Sequence, residues 1–218
     1  MARNVIFDLD GTLVDSIPGI RWSVEVALDA AGVPATCPDL KPLIGPPIRD
    51  ILATVTGASD TAQLDRMEAA FRASYDGGGW RRTTCMPGAR EAIRRLQTSG
   101  CPMWVVTNKP GLASRAILGE LALSESFREI VSRDSRIPRF SSKAEMLADL
   151  IRRCALAPAD CIMVGDTLED CHAAEAVGIE CAIMPHGYGC GLDGTLPQRS
   201  RVVEGWHELL QRCGVFAA

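Results

Sequence analysis

The sequence predicts an α/β fold, a doubly wound parallel sheet core with an inserted helical domain. Three observations predict it. From about residue 86 onward, short apolar runs alternate with amphipathic stretches. That alternation is the pattern of parallel strands joined by crossover helices, which cover a sheet on both faces. One further apolar run, residues 5–7, stands alone near the start of the chain. Roughly seventy residues separate it from the alternating block, far more than a connection needs, and they read as helix instead.

The runs read as strands are 5–7, 103–106, 129–131, 161–164 and 181–184. Each is too short for a helix and is bounded by polar residues or glycine. Between them, residues 89–99 place Ala89, Ala92, Ile93 and Leu96 on one face, with Gly100 positioned as a C-terminal cap. Residues 112–123 form a second helix. A third, 143–154, opens with Ser142-x-x-Glu145, a capping-box pattern. A fourth, 168–177, ends at Gly178. In the long intervening segment, 20–31, 47–55 and 61–75 read as helices, broken by Gly45-Pro46-Pro47 and Gly77-Gly78-Gly79. The expected division is residues 1–15 and 86–218 as the α/β core and 16–85 as the helical insertion.

Composition excludes several classes. At 218 residues the chain can bury a core without staples, and with only 5% aromatics that core must be aliphatic. The net charge of −4 and the absence of a basic face argue against nucleic acid; the densest basic stretch, Arg133, Arg136 and Arg139, is broken by Asp134. Nine cysteines at irregular spacing, with no C-x-x-C pair, read as reduced thiols in a cytoplasmic protein. The N-terminus does not read as a signal peptide, and no apolar stretch approaches membrane-spanning length.

The chemistry lies in the residues directly after the strands. Residues 5–7 run into Asp8-Leu9-Asp10-Gly11-Thr12, residues 103–106 into Thr107-Asn108-Lys109, and residues 161–164 into Gly165-Asp166-Thr167 and then Asp170. In open α/β sheets, ligands bind outside the carboxyl ends of the strands. Carboxylates delivered together to that edge repel unless a cation lies between them, and an all-oxygen site of that kind suits Mg²⁺. Lys143 is expected at the first position of its helix, where a cation opposes the helix dipole. The placement makes sense if Lys143 and Thr107 hold a phosphate beside the metal.

Taken in order, these segments resemble the four motifs of haloacid dehalogenase-type phosphatases. Asp8-Leu9-Asp10-Gly11-Thr12-Leu13-Val14-Asp15-Ser16 looks like the first, Thr107 the second, Lys143 the third, and Gly165-Asp166-Thr167-Leu168-Glu169-Asp170 the fourth. The insertion is similar to that family's helical cap. Val106-Thr107-Asn108-Lys109-Pro110 and Cys85-Met86-Pro87-Gly88-Ala89 look most like phosphoglycolate phosphatases. Two departures stand out: Ala144 follows Lys143 where the family often has proline, and Cys85 stands where many relatives carry an aromatic residue.

The resemblance implies a Rossmann-like core and a magnesium-dependent phosphatase acting on a small phosphorylated metabolite, with 2-phosphoglycolate as the leading candidate. Asp8 would be the nucleophile and Asp10 the general acid and base. The Asp8 carboxylate, the Asp10 main-chain carbonyl and Asp166 would hold Mg²⁺, with Asp170 supporting the metal or orienting Lys143. Thr107, Lys143, Gly11 and Asn108 would form the phosphate site. Arg49, in the cap loop after Gly45-Pro46-Pro47, is the candidate for pairing with a substrate carboxylate, and His186 could line the rim. No membrane or nucleic-acid partner is expected, and the chain would act as a monomer or homodimer. Two other activities fit part of the pattern: a β-phosphoglucomutase-like phosphotransferase and a receiver-like signalling module phosphorylated on aspartate.

Overall fold

A computed structural model describes residues 3–34, 37–189 and 195–216. The chain divides into two compact units, Met1–Asp15 with Cys85–Ala218, and Ser16–Thr84.

The chain enters the larger unit with β1 (Asn4–Phe7) and the short β2 (Val14–Asp15). It then forms the helices of the smaller unit, α1 (Ile17–Ala30), α2 (Ile48–Thr56) and α3 (Thr61–Asp76). α1 packs on α3. Ile20, Val24, Ala27 and Leu28 of α1 recur at helical spacing and are buried, as are Leu64, Met67, Phe71 and Tyr75 of α3. Phe71 and Tyr75, one turn apart, stack with ring centroids 5.4 Å apart. Asp60 caps α3, its carboxylate accepting from the Ala62 and Gln63 amides at 3.3 and 3.0 Å. The Pro47 break places the start of α2, and Gly57, at φ +67°, ends it.

After β3 (Thr84–Cys85) the alternation begins: α4 (Ala89–Thr98), β4 (Met103–Thr107), α5 (Gly111–Glu120), β5 (Ile130–Ser132), α6 (Lys143–Arg153), β6 (Cys161–Gly165), α7 (Leu168–Ala176) and β7 (Glu180–Ile183). The chain closes with β8 (Ser200–Val202) and α8 (Trp206–Arg212). The main sheet has six strands in the order β5-β4-β1-β6-β7-β8, all parallel. Numbered along this sheet alone, that is the 3-2-1-4-5-6 winding of doubly wound folds, in which the strand order reverses between the first and fourth strands. The reversal point here lies between β1 and β6.

Register explains the apolar runs. Ile6 lies beside Trp104 and Met163, and Met163 beside Cys181. These residues share one face and form a cluster with Met146, Leu147 and Leu150 of α6 and Cys171, Ala173 and Ala174 of α7. Their neighbours on the opposite face, Val5, Phe7, Val105, Ile162 and Val164, are equally buried. Strands covered on both sides need no polar alternation, which is why each reads as a continuous apolar run. Eight cysteines are free thiols: Cys37, Cys85, Cys101, Cys154, Cys161, Cys171, Cys181 and Cys213; Cys190 lies outside the described residues. No helix among the described residues is long and apolar enough to cross a membrane.

Candidate active site

Asp8 and Asp166 follow the two strands that flank the reversal point. The Asp8 amide donates to the Val164 carbonyl at 2.8 Å, which extends the β1–β6 ladder by one residue and fixes where the carboxylate begins. The chain then turns sharply. The Leu9 carbonyl accepts from the amides of Thr12, Leu13 and Val14 at 3.3, 2.9 and 3.0 Å. Gly11 sits in this turn at φ +81°, and a side chain there would run into Asp166 and Tyr188. Glycine is demanded twice, by conformation and by space.

Lys143 is the first residue of α6 and is buried. Its Nζ lies 2.7 Å from Asp170 Oδ1 and 3.2 Å from Asp8 Oδ1. Burial opposes the charge, but Asp170 and Asp8 more than offset it and hold the ammonium above its ordinary range. Ser142 caps α6 by accepting from the Glu145 amide at 3.2 Å. The reciprocal half of the predicted capping box is displaced by one residue: Glu145 accepts from Ser141 N and Oγ, and pairs with Arg136.

A complete capping box forms instead at α7, between Thr167 and Asp170. Asp170 Oδ2 accepts from the Asp166 and Thr167 amides at 3.2 and 3.0 Å and from the Thr167 hydroxyl at 2.7 Å. With Lys143 on its other oxygen, Asp170 is a fully engaged positioning group. It caps α7 and contacts the Lys143 ammonium at once.

Asp166 accepts from Thr12 Oγ1 at 2.9 Å on one oxygen, and from the Tyr188 and Gly189 amides at 2.6 and 3.3 Å on the other. Side chains at Gly165, Gly187 and Gly189 would collide with Asp170, with Asp166, and with the Asp166–Thr167 backbone respectively. The chain therefore wraps these two acids with glycines that leave them no room to swing. Burial pushes the Asp166 carboxyl up to about 6, aided by Asp170 and resisted by its hydrogen bonds. Burial also raises Asp8 well above the carboxylate range; the neighbouring Asp170, Asp166 and Asp10 add to the rise, and Lys143 lowers it only in part.

Thr107 ends β4, is buried, and accepts from the Lys109 amide at 3.2 Å through its hydroxyl. Asn108 Nδ2 donates to Glu169 at 2.7 Å, while its Oδ1 is buried without a hydrogen-bond partner among the described residues. His186 Nε2 lies 3.4 Å from the Thr12 carbonyl, with its ring against Trp206. In the smaller unit, Arg49 is held by Asp65 at 2.6 Å and Glu68 at 3.3 Å.

Several contributors were not read from the sequence. Lys109 is buried, and its Nζ lies 3.0 and 3.1 Å from the two Asp10 carboxylate oxygens. Thr12 and the Tyr188 and Gly189 amides reach Asp166 from segments far apart in sequence. The Gly-x-Gly run after the last apolar strand was the available signal for the amides. A lone lysine two residues after Thr107 was a weak signal for the ion pair.

The donor set suits a hard divalent cation. Asp8, Asp166 and Asp170 are all buried and each offers a carboxylate oxygen, all within 4.8 Å of one another. Four carboxylates, those three and Asp10, share two ammonium groups, so negative charge is in excess. Residues 2–178 match the family model for haloacid dehalogenase-like hydrolases.

The chain belongs to the haloacid dehalogenase-like hydrolases. Within that family it is phosphoglycolate phosphatase-like. It is 36% identical over 189 residues to a phosphoglycolate phosphatase of Cereibacter sphaeroides, covering 84% of this chain and 85% of that protein. It is 33% identical over 186 residues to the tyrosine-protein kinase PtkA of Mycobacterium tuberculosis. That match covers 85% of this chain but 62% of the kinase, so the chain spans less than two thirds of that relative's length. Among solved structures, a haloacid dehalogenase-like hydrolase of Streptococcus pneumoniae superposes with a TM-score of 0.83 at 26% identity, covering 96% of this chain and 97% of that one. M. tuberculosis PtkA superposes with a TM-score of 0.82 at 29% identity, covering 98% and 99%.

Proposed function

We propose that the chain is a cytoplasmic, Mg²⁺-dependent phosphatase that hydrolyses a small phosphomonoester, 2-phosphoglycolate first among candidates, through an aspartyl-phosphate on Asp8. The observation that carries this reading is the Asp8 carboxylate, buried at the switch point with Lys143 at 3.2 Å and Asp166 beside it. An in-line displacement at phosphorus needs a nucleophile fixed in place and cationic groups around the transferred oxygens.

Asp8 attacks phosphorus as the bond to the leaving oxygen breaks, and that oxygen takes the proton of the Asp10 carboxyl. Water then attacks the aspartyl-phosphate, giving a proton back to Asp10 and releasing phosphate and the free Asp8 carboxylate. Lys143 offsets charge on the phosphoryl oxygens, and Thr107 with Gly11 and Asn108 positions the group. Asp170 holds Lys143. The Asp8 and Asp166 carboxylates and the Asp10 main-chain carbonyl would hold Mg²⁺. Mg²⁺ would neutralise charge on the phosphoryl group and on the crowded carboxylates. Arg49 is assigned to the substrate's carboxylate, which must then compete with Asp65 and Glu68.

A second reading draws on the likeness to PtkA: transfer of a phosphoryl group from ATP to a protein tyrosine. Phosphate release from 2-phosphoglycolate, sugar phosphates, nucleoside monophosphates and p-nitrophenyl phosphate, measured with Mg²⁺ and with chelator, separates the two. The phosphatase reading expects release that is lost in chelator and in Asp8→Asn. Transfer of label from ATP to tyrosine, with no release from the panel, would replace it by the kinase reading.

A further inference from the structure

We propose that Lys109 is the positioning residue for Asp10, holding its carboxyl group where it can deliver a proton to the leaving oxygen. The inference rests on the phosphatase reading above and assigns a residue that the four motifs leave without a role.

The geometry is specific. Lys109 Nζ lies 3.0 and 3.1 Å from the two Asp10 oxygens, so it engages the whole carboxylate rather than one edge. Its side chain is 6% exposed and that of Asp10 17%, so neither is a solvated surface group. Lysine almost never takes up such a position without a partner. The backbone around it is fixed as well. The Lys109 amide donates to Thr107 Oγ1 at 3.2 Å, and Pro110 sets the entry to α5. Lys109 therefore hangs from the same short turn that presents Thr107, and the two acids of the first motif each meet a lysine from a different part of the chain: Asp8 meets Lys143 at the start of α6 and Asp10 meets Lys109.

The acids of the site differ in how they are held. Asp166 and Asp170 are wedged among glycines and main-chain amides, whereas Asp10 lies beyond the first strand in a tight turn and keeps some access to solvent. A carboxyl that must reach a leaving oxygen in one step and a water in the next gains from a partner that restricts its rotamers without enclosing it. A lysine on a flexible stem, anchored at its backbone, does this.

The test is a double-mutant cycle on kcat/KM with two leaving groups. One substrate is 2-phosphoglycolate, or whichever alkyl phosphate the wild-type enzyme turns over fastest; its leaving oxygen needs a proton. The other is p-nitrophenyl phosphate, whose leaving group departs without one. Lys109→Met is expected to lower kcat/KM about 30- to 100-fold on the alkyl phosphate and less than about threefold on p-nitrophenyl phosphate. In an Asp10→Asn background it should add less than about threefold on either. Lys109→Gln, which keeps a donor and the length of the stem in part, should show the same selectivity with a smaller loss, and serves if the Met variant does not fold. Equal losses on both substrates, or a full additional loss in Asp10→Asn, would overturn the proposal and make Lys109 a phosphate contact or a structural residue. Release that survives Asp8→Asn would instead overturn the phosphatase reading, and this inference with it.

Discussion

Asp166→Asn offers a test of the site's electrostatics that needs no substrate. In the folded protein burial raises the Asp166 carboxyl to about 6 from an ordinary 3.8. Between those values the folded state binds the proton and the unfolded state has released it, so stability falls as pH rises. The contribution is fully present below about pH 4 and is lost as pH rises through about 6. Each tenfold change in proton affinity corresponds to about 1.4 kcal/mol, so the ionised carboxylate costs the metal-free protein roughly 3 kcal/mol at pH 8. Asparagine can replace the acid without leaving a partner stranded. Its oxygen can keep the Tyr188 and Gly189 amides, and its NH₂ can donate to Thr12 Oγ1, which accepts as readily as it donates. In chelator at pH 8, Asp166→Asn should melt about 6–12 °C above wild type, and the gap should close toward pH 4.5. With Mg²⁺ the order should reverse, because only the wild type gains binding free energy. Thermal melts at four pH values, with and without the ion, give the whole comparison. A variant less stable than wild type in chelator at pH 8, or a gap that does not change with pH, would refute the assignment of Asp166 as a crowded, desolvated carboxylate.

The same contacts set further expected outcomes. Asp8→Asn should reduce turnover below a tenth of wild type, and in practice to background, while leaving the fold intact by circular dichroism. Lys143→Met removes the cation shared by Asp8 and Asp170 and should cost about 3–5 kcal/mol in a denaturant melt at neutral pH, besides abolishing activity. Replacing Mg²⁺ by Ca²⁺ should leave the melting temperature raised but turnover strongly reduced, because looser coordination misplaces the nucleophile. Arg49→Ala should raise KM for 2-phosphoglycolate at least about tenfold and leave p-nitrophenyl phosphate unchanged, if the guanidinium meets the substrate carboxylate.

The acids of the site were legible because strand ends in a parallel sheet are legible. Apolar runs covered on both faces announce the strands, and the residues directly after them must lie on one edge. That logic brings Asp8, Thr107 and Asp166 together without any distance being known. Lys143 was legible through an electrostatic oddity, a cation at a helix start, and its contacts with Asp8 and Asp170 supply the counter-charge. The Lys109–Asp10 pair was not legible, since residues 99 apart meet only through the tertiary fold. Neither were the Tyr188 and Gly189 amides, because main-chain donors carry no side-chain signature. β8 was not legible for another reason: Ser200–Val202 is short and largely exposed, so burial wrote no apolar pattern into it. The capping box expected at Ser142 formed only by half, because Glu145 found Ser141 and Arg136 within reach.

The most direct test of the central claim is to trap the covalent intermediate. In Asp10→Asn, p-nitrophenyl phosphate can still phosphorylate the enzyme, since its leaving group needs no proton, but the water step loses its base. Rapid mixing with Mg²⁺ should then release one nitrophenol per active site in a burst, and mass spectrometry of the quenched protein should find the phosphoryl group on Asp8. A burst with the phosphoryl group on any other residue, or a burst that survives when Asp8→Asn is added, would contradict the account.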